Sequence, residues 1–207
     1  MKMTCEARRD PVADKLLTPE NSAFLLIDYQ PTQINSINSM NRAQLIKNVV
    51  NVIGLMNTFK IPVILSTVNV KNGRNKDTIA PIKDLLPDVP SYDRTTINAW
   101  EDTEFKAAVK QTGRHNLIIA ALWTEACLTF PTLDALDEGY DVFPVVDSVG
   151  GTSVIAHEAA LRRVEQAGAK PTSIPQLACE LQRDWQRTDT VPGFTKELVD
   201  AGIFLHL

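Results

Sequence analysis

Residues 23–27 (AFLLI) and 116–122 (NLIIAAL) are continuous apolar runs, where a strand with one wet face would alternate apolar and polar side chains. A strand apolar on both faces needs cover on both faces. Arg42–Phe59 supplies such cover: Leu45, Ile46, Val49, Val50, Ile53, Leu55 and Met56 recur at roughly helical spacing, with Asn41 available as a cap. The alternation continues with a strand at 62–67 (PVILST), a short helix at 78–86 and a helix at 101–112 closed by Gly113. After the second apolar run come a helix at 125–138 ending at Gly139, a strand at 141–146, a helix at 153–167 ending at Gly168, a short strand at 171–174 and a helix at 176–185. Apolar strands joined by helical crossovers predict an α/β fold of three layers, a parallel sheet with helices on both faces. In such sheets ligands bind beyond the carboxyl ends of the strands, near the point where strand order reverses.

A chain of 207 residues suits one domain, and 44% hydrophobic with 22% charged residues suits a globular chain with a sizeable core. We divide it into an N-terminal extension (1–16), a main domain (17–187) and a C-terminal tail (188–207) whose apolar end, GIFLHL, suits subunit contact. The net charge of −4 and the absence of Lys/Arg runs beyond Arg8-Arg9 and Arg162-Arg163 exclude a phosphate-tracking basic face, so nucleic acid is not expected as a partner. Cys5, Cys127 and Cys179 form no C-x-x-C pair, which fits a reducing cytoplasm better than a disulfide scaffold or a zinc ribbon. No apolar segment approaches the ~20 residues of a membrane span, and the polar N-terminus lacks the apolar core of an export signal.

Three residues stand at strand ends: Asp28 after the first apolar run, Arg94 in SYDRTTINAW, and Cys127 just beyond the second run. Where a strand turns into a helix, a Cys127 thiolate would feel the positive helix N-terminus, and a nearby cation such as Arg94 would lower its pKa further. Asp28 would take the thiol proton and return it to a leaving group. Each residue also has a plainer reading: a small semi-buried Cys, a turn Asp, a salt-bridging Arg. Spacing alone leaves both readings open.

The segments LLIDYQ (25–30), LIIAALWTEACLTF (117–130) and EGYDVFPVVDS (138–148) resemble the isochorismatase-like cysteine hydrolases, with their strand ending in Asp-x-Gln and later G-x-x-T-x-x-C-V turn. With INAWEDTEF (97–105) and ACELQRDW (178–185), the similarity is nearest to the YcaC-type branch and spans about residues 17–187. The resemblance implies a six-stranded parallel sheet and a triad of Asp28, Arg94 and Cys127. It also implies a cis peptide at Leu122–Trp123, an oxyanion hole from the amides of Trp123 and Cys127, and Gln30 as a hydrogen-bonding neighbour of the nucleophile. Asn98 and Trp100 read as packing residues that could also line the pocket.

Arg94 stands where most members carry Lys, a replacement the YcaC-type branch shares, and guanidinium supplies charge without relaying protons. Ala121-Leu122-Trp123-Thr124 replaces the usual Gly and small apolar residues of the turn, which predicts a pocket narrowed by Trp123. Nicotinamidases of the superfamily bind zinc through an Asp-x-His-x5-His stretch, but STVNVKNGRNKD has no His, and His115, His157 and His206 lie far apart. No metal and no cofactor are expected.

The implied activity is hydrolysis of a C–N bond in a small amide or carbamoyl-type substrate through a thioester, with Cys127 titrating below the ordinary ~8.5 and more easily alkylated than Cys179. Isochorismatase-type vinyl-ether hydrolysis, which proceeds without Cys at this point, is disfavoured by Cys127. A homo-oligomer such as an octamer is implied, and a catalytically residual scaffold of the same fold is the alternative.

Overall fold

A computed structural model describes residues 10–204. Five strands, β1 (Ser22–Ile27), β2 (Val63–Val68), β3 (Ser91–Arg94), β4 (Asn116–Ala121) and β5 (Asp141–Pro144), form one parallel sheet in the order β3-β2-β1-β4-β5. Every residue of β1 and β4 is buried, which is why both read as unbroken apolar runs. They lie side by side at the centre, Ser22 opposite Asn116 and Ile27 opposite Ala121.

The connecting helices are α1 (Pro31–Asn35), α2 (Arg42–Phe59), α3 (Ala80–Lys83), α4 (Thr103–Gln111), α5 (Thr129–Asp137), α6 (Val154–Gln166), α7 (Ile174–Gln182) and α8 (Val191–Asp200). From β1 the chain steps through α2 to β2 and through α3 to β3; it then returns through α4 to β4 and goes on through α5 to β5. Right-handed crossovers running in opposite directions put the two sets of helices on opposite faces. The contacts agree: α2 packs with α3, α7 and α8, whereas α4 packs on β2 and α5 on β5 and α6. The reversal of strand order falls between β1 and β4, so the carboxyl ends of those two strands frame the site.

The sheet has five strands, and the sixth, expected at 171–174, is reduced to a single bridge between Thr172 and Val145. Thr172 does exchange backbone bonds with β5 and its continuation, donating to Pro144 O at 2.8 Å and accepting from Val146 N at 2.9 Å. Two residues later the Asp147 carboxylate takes the Ile174 amide at 3.0 Å and Pro175 occupies the first turn of α7, so the chain enters a helix before a ladder can extend. Asn41 caps α2 by accepting from Gln44 N, as its position in the sequence predicts.

Of the tail, residues 191–200 are α8, which buries Phe194 and Leu198 and packs on α2; His206 and the last residues of GIFLHL lie outside the described residues, as does Cys5. The described end of the N-terminal extension is tied to α7 by Arg183, whose guanidinium meets Asp14 at 2.9 Å. Among the described residues no helix is long and apolar enough to cross a membrane.

Phe24 is fully buried on the central strand, so Phe24→Ala is expected to cost about 3–5 kcal/mol. Urea unfolding at fixed protein concentration reads this as a lowered midpoint with an unchanged slope.

Candidate active site

Asp28 follows the last residue of β1 in a left-handed conformation, φ 64°, which Asp tolerates better than most residues. Its amide donates to Ser66 O, and its carboxylate lies under the sheet's carboxyl edge with no solvent exposure. Arg94, the last residue of β3, reaches across β2 to meet it. The two guanidinium ends donate to the two carboxylate oxygens at 2.7 Å each, a bidentate fork.

Both terminal nitrogens make further hydrogen bonds. Nη1 also donates to Ser66 Oγ and Thr67 O, and Nη2 to Ile97 O, each at 3.0 Å; Nε is buried without a partner. Burial works to lower the Arg94 pKa, but the hydrogen bonds and charge of Asp28 outweigh it, so the cation is held more firmly than usual. A buried pair repays its desolvation only with geometry of this kind.

Cys127 sits on a single wide turn, Thr124–Leu128, between β4 and α5. The Leu122–Trp123 peptide at its entrance is cis. Leu122 N donates to Ile27 O and Thr124 N to Gly150 O, fastening the entrance to β1 and to the loop before α6. At the exit, Thr129 donates both its amide and its hydroxyl to Thr124 O, the i to i+5 pattern that widens the turn.

The thiol is buried, with 7% of its residue surface exposed. Burial pushes its pKa well above the ordinary value, and the charge of Asp28 and a hydrogen bond to it push the same way; Arg94 and the Trp123 amide oppose this and lose. The expectation of a thiol titrating below its ordinary value is therefore corrected. Arg94's charge is matched by Asp28, so burial and the charge of that carboxylate keep Cys127 in its neutral form. Cys179 is exposed on α7, so general alkylation should reach it more readily than Cys127.

Asp28, Arg94 and Cys127 thus come together from β1, β3 and the turn after β4, with Leu122 and Trp123 at the mouth of that turn. The other named residues spend their side-chain hydrogen bonds on neighbouring elements. Gln30 donates to Val68 O and Lys76 O and accepts from Val68 N, so it satisfies the loop after β2. Asn98 bonds Asp134 on α5 at 2.7 Å and caps the short turn at Trp100, while Trp100 donates to Glu138 at 3.0 Å and packs edge-on against Tyr140. Both brace α5. Trp123 turns its indole N–H onto Ser36 Oγ at 2.5 Å.

Two residues escaped the sequence reading. Ser66 holds Arg94, and its signal was the polar Ser-Thr pair ending the apolar run PVIL. His157, whose ring bonds Thr124, carries no signal that spacing reveals. Among the described residues no group of three or more His, Cys, Asp or Glu could hold a metal ion.

The isochorismatase domain model matches residues 22–176, most of the chain and all three site residues. The chain belongs to the isochorismatase family. It is 37% identical over 171 residues to the probable hydrolase YcaC of Escherichia coli K12, covering 82% of each. Two solved structures superpose with TM-scores of 0.85 at 34% identity. One is YcaC from Pseudomonas aeruginosa with hexane-2,5-diol and covalent acrylamide, covering 90% of this chain and 92% of that one. The other is E. coli YcaC, described as an octameric hydrolase of unknown specificity, covering 91% of each. The nicotinamidase PncA of Bacillus subtilis shares the fold at 17% identity, TM-score 0.64, over 74% of this chain and 99% of that one. This chain is therefore an isochorismatase-family hydrolase.

Removing one member of the buried pair strands the other. Arg94→Met and Asp28→Asn are each expected to cost about 3–5 kcal/mol, and the double variant less than their sum. A denaturant double-mutant cycle measures the coupling; strict additivity would mean that the two side chains do not depend on each other.

Proposed function

We propose that the chain is a cysteine hydrolase that cleaves the C–N bond of a small amide or carbamoyl-type substrate through a thioester at Cys127. The reading is carried by the position of Asp28, held by the Arg94 fork and near enough to Cys127 for its charge to act on the thiol. A neutral thiol beside a buried carboxylate is arranged for proton transfer during attack, with no thiolate standing in the resting enzyme.

Sulfur attacks the substrate carbonyl carbon as the thiol proton passes to Asp28. The carbonyl oxygen becomes an oxyanion held by the backbone amides of Trp123 and Cys127. When the tetrahedral intermediate collapses, the C–N bond breaks and Asp28 gives its proton to the departing amine. Asp28 then takes a proton from water as that water attacks the thioester, and the carboxylic acid leaves with the thiol restored. Arg94, always protonated, keeps the carboxylate in place and balances its charge without relaying a proton.

The chain needs no cofactor or metal in this scheme, and its ligand is a small molecule, not a nucleic acid or a membrane. The octamer described for E. coli YcaC, at 34% identity, supports a homo-oligomer here as well. Two free thiols among the described residues, Cys127 and Cys179, fit a reducing, cytoplasmic setting.

A panel of amides, carbamoyl compounds and hydroxamates, assayed by ammonia release, tests the reading. Cys127→Ala is expected to abolish turnover, and Asp28→Asn, assayed at a temperature where the destabilised variant is still folded by circular dichroism, to lower it by roughly 10²–10⁴-fold. Ammonia release by Cys127→Ala at the wild-type rate would overturn it. Exhaustive chelation should change neither rate nor melting temperature; a stoichiometric zinc required for turnover would contradict the metal-free scheme.

A further inference from the structure

The turn that carries Cys127 is held from outside the triad by a second set of groups, and Thr124 is their meeting point. Thr124 is fully buried. Its amide donates to Gly150 O at 2.9 Å, its carbonyl accepts Thr129 Oγ1 at 2.7 Å, and its hydroxyl lies 2.8 Å from Nδ1 of His157 on α6. Glu125, the next residue, accepts from both the amide and the hydroxyl of Thr152 through one carboxylate oxygen, at 2.9 and 2.6 Å.

Loop, turn and helix are also in close contact. A Cβ added at Gly151 would lie 2.6 Å from Glu125 Oε2, 3.0 Å from His157 Cβ and 3.2 Å from His157 Cα. Gly151 thus packs directly on the Cα and Cβ of His157, where a larger residue would displace the start of α6.

We propose that His157 is a positioning residue for Cys127: as a neutral imidazole accepting the Thr124 hydroxyl at Nδ1, it fixes the nucleophile turn and gives it an acid-side pH dependence. The inference rests on Cys127 being the nucleophile. In imidazolium both ring nitrogens are donors, so Nδ1–H points at Thr124 Oγ1 and the hydroxyl hydrogen loses its acceptor in a buried site. The turn then pays for an unsatisfied donor or shifts to relieve it.

The charges around the ring fit this role. Burial holds the His157 pKa below its ordinary value, against the pull of Glu125 on the turn and Glu158 on its own helix. The loop from Gly150 to Ser153 brings no charge, and α5 turns its carboxylates elsewhere, Asp134 to Asn98 and Asp137 to the surface hollow beside Trp100. A lowered His pKa means that the neutral ring, and the order it imposes, is present at neutral pH and lost as pH falls through the folded value.

Acrylamide labelling of Cys127, read by peptide mass so that Cys5 and Cys179 are separated, tests this from about pH 5 to about pH 8, with His157 followed by NMR in the same protein. The wild-type rate is expected to show an inflection at the NMR pKa of His157. His157→Gln, which keeps an acceptor and does not titrate, should lack that inflection. Thr124→Val should label roughly tenfold more slowly across the range, and Thr124→Ser should recover most of the loss. An inflection unchanged in His157→Gln, or wild-type labelling in Thr124→Val, would overturn the positioning role alone. Ammonia release by Cys127→Ala at the wild-type rate would overturn the nucleophile itself and this inference with it.

Discussion

The carboxylate of Asp28 and the guanidinium of Arg94 form a buried, bidentate pair across three strands, and the site is organised around it. Neither ion would be stable at this depth alone, since each loses a hydration shell that the other replaces, with three further protein oxygens accepting from the guanidinium. Ser66, Thr67 and Ile97 supply those oxygens because β2 and β3 end in register, Val68 opposite Arg94. Burial does most to keep the thiol neutral, and the pair adds to it. A free cation beside Cys127 would draw out the thiolate, whereas a cation already matched by Asp28 leaves the neutral form favoured.

The fold delivers these groups through its strand order. Because the chain reverses direction across the sheet between β1 and β4, the ends of these two strands lie at the point where such sheets place their ligand sites. Asp28 extends one strand and the Cys127 turn extends the other. The hydrogen bond from Leu122 N to Ile27 O keeps the two extensions in step. The turn is pinned by Gly150 and His157 on one side and by Thr129 on the other.

The parts of this arrangement legible in the sequence were those set by burial. The central strands read as unbroken apolar runs because both faces are covered, and Asp28, ending the first run, marked the site edge. The 171–174 segment misled because its apolar and β-prone residues do pair with β5, but Asp147 and Pro175 redirect the chain after one bridge. Gln30, Asn98 and Trp100 carry side chains suited to a pocket and spend them on the protein itself. The state of Cys127 was illegible for a different reason. Proximity of a cation says nothing of thiol ionisation until it is known which anion that cation already serves.

The claim that the Asp28–Arg94 pair is closed on itself, leaving a neutral thiol, is tested most directly by the ionisation of Cys127. Thiolate absorbance in the ultraviolet, taken as the difference between wild-type and Cys127→Ala protein, should show no step at or below about pH 9. A Cys127 thiolate that forms with a midpoint below the ordinary ~8.5 would show that Arg94 activates the sulfur directly, and would contradict the closed pair.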